Sequence, residues 1–147
     1  MAEFVEISEI LSPVSDGFEL NLSCPHAEGY GMAMGQDPEL VAEIISAIKA
    51  TCELPVIAKL TPNTSDIRAI ARAAELAGVD GFCAINTVGP GYASAFGHPI
   101  LSNSQGGISG KGTLPIALKC IQEIREISNL PIIGCGGISS AADVRSA

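Results

Sequence analysis

Apolar positions along this chain fall into two alternating rhythms. Short, nearly unbroken apolar runs lie at Gly17 to Leu22, Leu54 to Leu60, Val79 to Ile85 and Pro131 to Gly134. Gly, Pro, Asn or Ser bounds each run, which predicts strands buried in a sheet. Between the runs, apolar residues recur every three or four positions. Val41, Ile44, Ile45 and Ile48 make the inner face of a helix predicted from Pro38 to about Ala50, with Asp37 as N-cap and Pro38 at the first helical position. Ile67, Ile70, Ala74 and Ala77 do the same for a helix over Thr64 to Ala77, stopped by Gly78. Another helix is predicted from Pro115 to about Ser128, and a last one begins near Ser140. At the start of the chain Phe4, Val5, Ile7, Ile10 and Leu11 suit one face of a short helix that Ser12-Pro13 ends.

This order, βαβαβαβα, predicts parallel strands joined by right-handed crossovers. Two connections stand out. Ala27 to Gly35 is glycine-rich and too polar for regular structure. Val88 to Leu114 is unusually long for a compact domain, and loops of that length are generally functional. No composition break marks a linker, so residues 1–147 read as a single domain.

Composition narrows the picture. The chain is 47% hydrophobic but only 4% aromatic, with no Trp, so its core is aliphatic. A net charge of -8 argues against nucleic acid, whose phosphates need clustered Lys and Arg. No apolar run approaches the roughly 20 residues of a membrane span, and the acidic N-terminus lacks the basic flank of a signal peptide. The five cysteines are widely spaced, with no CxxC pair. That weighs against a metal or iron–sulfur site and fits free thiols in a reducing cytoplasm.

The chemistry gathers where the strands end. The first runs into Asn21-Leu22-Ser23-Cys24-Pro25-His26, the second into Lys59-Leu60-Thr61-Pro62-Asn63, the third into Ile85-Asn86-Thr87 and the last into Gly134-Cys135-Gly136-Gly137. Polar groups at the carboxyl ends of buried parallel strands are where α/β proteins place active sites. Cys24, flanked by the Ser23 hydroxyl and the His26 imidazole, is a candidate proton base, its ordinary thiol pKa of about 8.5 lying within reach of neutral pH. Cys52, Cys83, Cys120 and Cys135 read instead as small buried hydrophobes. Lys59 is a cation in an otherwise apolar strand, suited to sit beside an anion or to snorkel outward. Asn21, Asn86 and Thr87 offer donors and acceptors to an amide-like ring, whereas Asn63 and Asn103 read as turn formers. The turns Gly106-Gly107-Ile108-Ser109-Gly110 and Gly134 to Gly137 can converge backbone N–H groups on a phosphate. Neither follows the dinucleotide-fold or P-loop spacing.

The segments ELNLSCPH, AKLTPN, AINTVGPG, PILSNSQGGISG and PIIGCGGI resemble, in order, the motifs of the dihydroorotate dehydrogenases, and within them the cytosolic FMN-dependent branch with a cysteine base. The dihydropyrimidine dehydrogenases share NLSCPH, GQDPELV and KLTPN. The resemblance implies a (β/α)8 barrel, FMN as cofactor, a small pyrimidine as substrate and oxidation of dihydroorotate to orotate. It implies that Cys24 takes a proton while hydride leaves for the flavin, and that Asn21, Ser23, Asn86 and Thr87 bind the pyrimidine. Lys59 and Ile85 would contact the flavin, and Gly110, Gly136 and Gly137 would line its phosphate site. The loop from Ala27 to Gly35 would be a lid. In some members of the family a separate subunit carries FAD and an iron–sulfur cluster; a homo-oligomer is also expected for this chain.

A complete barrel of this kind takes about 250 residues, and this sequence supplies about four consecutive βα units. The expectation is a partial TIM (β/α)8 barrel, an internal portion of a catalytic subunit, with two unpaired strand edges, an apolar inner face and a tendency to self-associate. Alternatives are pyrimidine reduction of the dihydropyrimidine dehydrogenase type, or a non-catalytic phosphate-binding half barrel.

Overall fold

The computed structural model describes residues 2–23 and 34–146. Four parallel strands form one sheet in the order of the sequence: β1 (Phe18–Asn21), β2 (Val56–Leu60), β3 (Gly81–Ala84) and β8 (Ile132–Gly134). Helices α2 (Pro38–Lys49), α3 (Ile67–Leu76) and α4 (Leu114–Arg125) connect them, preceded by α1 (Ala2–Leu11) and followed by α5 (Ala141–Ser146). Sequential strand order with right-handed crossovers puts every connecting helix on one face. The result is a four-stranded parallel βα array, the arrangement of a partial barrel.

Local chemistry starts and stops the helices as the sequence suggests. Asp37 accepts hydrogen bonds from Glu39 N (2.9 Å) and Leu40 N (3.3 Å) at the start of α2. Asp66 does the same for α3, from Arg68 N (3.0 Å) and Ala69 N (3.2 Å), so that helix begins at Ile67 and not at Thr64. Val41, Ile44, Ile45 and Ile48 are the buried residues of α2, and they pack with Val56, Ala58, Leu60 and Phe82 of the sheet in one aliphatic core. Asp80 ties three elements together by accepting from Lys49 Nζ (2.9 Å) and Val56 N (2.8 Å).

In two places the structure departs from the sequence reading. The apolar face expected on α1 is not the one it buries. Ser8 is buried and Phe4 and Val5 partly so, whereas Ile7, Ile10 and Leu11 are exposed. Ser8 sits on the packed side with its hydroxyl bonded to the Val5 carbonyl (2.8 Å), and Ser12, just past the helix, bonds back to the Ser8 carbonyl (2.7 Å). The second departure is the long connection after β3, which holds four short strands. β4 (Val88–Tyr92) pairs antiparallel with β7 (Gln105–Ile108), and β5 (Ser94–Ala95) with β6 (His98–Pro99). The expected turn at Gly106-Gly107 is therefore part of a strand.

Alternation along the strands decides what faces the open side. Leu20, Ala58, Phe82 and Ile132 form one cross-strand row against the helices. The next row, Asn21, Lys59, Cys83 and Ile133, lies on the opposite face, with Glu19 two residues before Asn21 on that same side. No described helix is long and apolar enough to cross a membrane.

Candidate functional site

The carboxyl ends of β1, β2, β3 and β8 lie side by side, because parallel pairing continues past the strands. Asn86 N donates to Leu60 O (2.8 Å), Ile85 N to Cys135 O (2.7 Å) and Cys135 N to Ala84 O (2.6 Å). That alignment gathers residues far apart in sequence. Asn86 Nδ2 donates to Asn21 Oδ1 at 2.9 Å and to Ser23 Oγ at 2.6 Å. Asn86 Oδ1 accepts from Thr87 N at 2.9 Å, which fixes the amide's orientation. Asn21 Oδ1 also accepts from Ser23 N and Ser23 Oγ, both at 3.4 Å. Among the described residues, Asn21 Nδ2 and the Thr87 hydroxyl make no hydrogen bond. The cluster thus joins a locked carboxamide network to an amide donor and a hydroxyl that no described residue engages, a combination able to pair with the edge of a cyclic amide.

Lys59 neighbours Asn21 in the register and is ion-paired, its Nζ lying 3.1 Å from Glu19 Oε1. The hydrogen bond to Glu19 raises the Lys59 pKa against a smaller opposing effect of burial. Lys59 therefore neither snorkels nor stands alone: it is a positive charge held in place on the open face. Cys83, next in the row, is buried, and burial first and Glu19 second push its thiol up to about 12. It is an inert thiol at neutral pH. Cys52 and Cys120 are likewise buried, but Cys135 is exposed, against the expectation of a buried hydrophobe. It lies one step past β8, on a sheet edge that no further described strand covers.

The glycine turns meet at the other side of Ile85. Gly110, Gly136 and Gly137 have φ of 88°, 119° and 73°. A Cβ on Gly137 would lie 2.7 Å from Leu114 N and 2.8 Å from Gly110 O, and one on Gly136 would lie 3.1 Å from Ile85 Cγ1. Only glycine fits this cradle, which opens at the start of α4, where the helix dipole favours an anion. The side chain of Ile85 thus lies against one of the two glycine turns, and its own chain neighbour Asn86 belongs to the carboxamide cluster.

Cys24, His26 and all of the expected lid except Met34 and Gly35 lie outside the described residues. Two contributors went unrecognised in the sequence. Glu19 could have been found by the argument that singled out Lys59, a charge in an apolar strand. Asn63 reads as a turn former, yet its side chain bonds across to the residues after β3.

The dihydroorotate dehydrogenase family model matches residues 1–146. The chain belongs to that family. The catalytic subunit of dihydroorotate dehydrogenase B (NAD+) from Pyrococcus horikoshii is 51% identical over 142 residues, covering 96% of this chain and 47% of that protein. The corresponding subunit from Methanosarcina mazei is 48% identical over 144 residues, covering 97% of this chain and 46% of that one. The crystal structure of DHODH from Eimeria tenella in complex with ferulenol superposes with a TM-score of 0.79 at 21% identity, over 99% of this chain and 44% of that chain. The fold is therefore that of a family member, and the chain spans about half the length of the curated relatives it matches.

Proposed function

We propose that residues 1–147 are a single-domain, internal portion of an FMN-dependent dihydroorotate dehydrogenase, which oxidises dihydroorotate to orotate in pyrimidine biosynthesis. The observation that carries this reading is the bonded cluster of Asn21, Ser23 and Asn86 beside Lys59, assembled from three strand ends in a chain of this family. Asn21, Ser23, Asn86 and Thr87 bind the pyrimidine, the carboxamides matching its alternating N–H and C=O groups.

The glycine cradle suits the FMN phosphate: Gly110, Gly136 and Gly137 leave room for it at a helix start. Ile85 would contact the ring system. Lys59, paired with Glu19 at 3.1 Å, would offset negative charge on the reduced ring. When bound, FMN supplies the hydride acceptor. Cys24 takes the proton from the neighbouring ring carbon, so the substrate loses one hydride and one proton and gains a carbon–carbon double bond.

The two relatives are catalytic subunits of an NAD+ enzyme by name, which supports a separate subunit with FAD and an iron–sulfur cluster as the next electron carrier. This chain's own cysteines lack cluster spacing. We also infer a homo-oligomer, and a cytoplasmic setting that suits free thiols.

The test uses a full-length, FMN-loaded protein carrying this segment. Cys24→Ser should slow flavin reduction by dihydroorotate about 10²- to 10⁴-fold, with orotate still bound. Unchanged reduction would remove Cys24 from the chemistry, and faster reduction by dihydrouracil than by dihydroorotate would reassign the substrate.

A further inference from the structure

Asn63 links the loop after β2 to the loop after β3 with both of its amide atoms. Its Nδ2 donates to Thr87 O at 3.0 Å, and its Oδ1 accepts from Gly89 N at 3.0 Å. The amide thus makes two bonds to the main chain at the point where the chain leaves β3 and turns into β4. Its own position is fixed twice. Thr61, buried at the end of β2, accepts Asn63 N on its Oγ1 at 3.1 Å, and Gln36 donates from its side chain to Asn63 O. Thr87 is held from the far side too, because Gly107 of β7 lies so close that a Cβ there would overlap the Thr87 side chain.

We propose that Asn63 is a positioning residue that sets the main chain of Thr87 and Gly89, and through it the ring-binding face made by Asn86 and Thr87. The route is short: Asn63 holds the Thr87 carbonyl, the Thr87 N–H holds Asn86 Oδ1, and Asn86 Nδ2 holds Asn21 and Ser23. An alternative in which Asn63 merely closes its own turn uses only its backbone and leaves both amide atoms without purpose. The choice of asparagine follows from the geometry. One partner is a carbonyl and the other an N–H, so the site needs a donor and an acceptor on one short planar group. Aspartate offers only acceptors, and alanine offers neither.

This inference rests on the reading of the site as a pyrimidine pocket, so its test has one arm that does not depend on it. In a full-length, FMN-loaded protein carrying this segment, Asn63→Ala and Asn63→Asp are compared with the parent. Both should weaken orotate binding about tenfold, read from the flavin spectrum, and raise the dihydroorotate KM similarly. FMN content and the rate of flavin reduction at saturation should stay within about threefold. Asn63→Asp should resemble Asn63→Ala, since it keeps the acceptor for Gly89 and sets a carboxylate against the Thr87 carbonyl. Amide hydrogen exchange over residues 87–91 should quicken about tenfold in both variants, whatever ligand the pocket takes. Unchanged exchange there overturns the proposal. So does loss of FMN together with orotate, which would make Asn63 a general structural support. A parent protein that ignores orotate while exchange still quickens in the variants contradicts the pyrimidine reading and leaves the positioning role standing.

Discussion

Glu19 shows how a single residue can set the worth of another. A lysine in a sheet is costly unless its charge is met, and the Glu19 carboxylate meets it at 3.1 Å. The pair is partly open to solvent in this chain, so its stabilising effect is small and screened. Its consequence for chemistry is larger. With Glu19 paired to it, the lysine's pull on a reduced flavin at the proposed site is partly cancelled in advance. Glu19→Gln removes that cancellation and keeps the shape. In the full-length, FMN-loaded protein this change should raise the flavin midpoint potential by about 30 mV, a tenfold shift for a two-electron couple. A potential that stays the same or falls would show that Lys59 does not act on the flavin through its charge. Cys83 illustrates the opposite outcome for a titratable group in the same row: with its thiol pushed up to about 12, it stays neutral and packs.

Among elements, the helices that cross between strands were legible from periodicity, because each packs an apolar stripe against the sheet; α3 buries Ile67, Ile70 and Ala74 as expected, with Ala71 in place of Ala77. α2 is the clear case, burying the four residues the pattern names. α1 broke that rule because it has no strand of its own to cross, and it touches the rest through Phe4, Val5 and Ser8. The hairpin strands β4 to β7 were not legible for another reason. VGPGY and QGGI carry the residues that normally signal loops, yet here glycine serves close approach, as at Gly107 against Thr87. Backbone pairing holds these strands, and burial patterns do not report backbone pairing. The strand ends and their polar residues were readable as a set, but the bonds that order them were not: nothing in the spacing of Asn21, Asn63 and Asn86 says which amide holds which. A contrast between two helices tests the packing account. Ile45→Ala in α2 should cost about 2–5 kcal/mol of stability, since Ile45 is fully buried. Ile10→Glu in α1 should change stability by less than about 0.5 kcal/mol. Equal losses in urea unfolding would mean that the exposed face of α1 is covered in solution.

At the scale of the whole molecule, the determining feature is a sheet whose two edges no further described strand pairs. β1 and β8 each have a single strand partner among the described residues, and the face away from the helices carries Ile57 and Ile133 beside its charged pair. Parallel sheets are normally covered on both faces, and unpaired edges recruit further strands. The apolar outer residues of α5 and α1 add to the uncovered area, with Val144 and Ile7 both more than half exposed. An open half barrel in water is therefore driven to pair its edges and to hide its inner face. With only this chain in solution, the available cover is another copy. The 147-residue chain should accordingly sediment as a dimer or larger species at about 50 µM, a concentration at which exposed edges associate, and dissociate on dilution. Ile133→Lys places a charge on the open face of the edge strand, a means by which natural sheets block association, and should shift the distribution toward monomer. Since Ile133 is 51% exposed, the substitution leaves the helix-side core untouched. Sedimentation velocity reads the result directly. A native chain that stays monomeric and well dispersed across that range would mean that the open face is closed from within, by residues of the chain folding back over it.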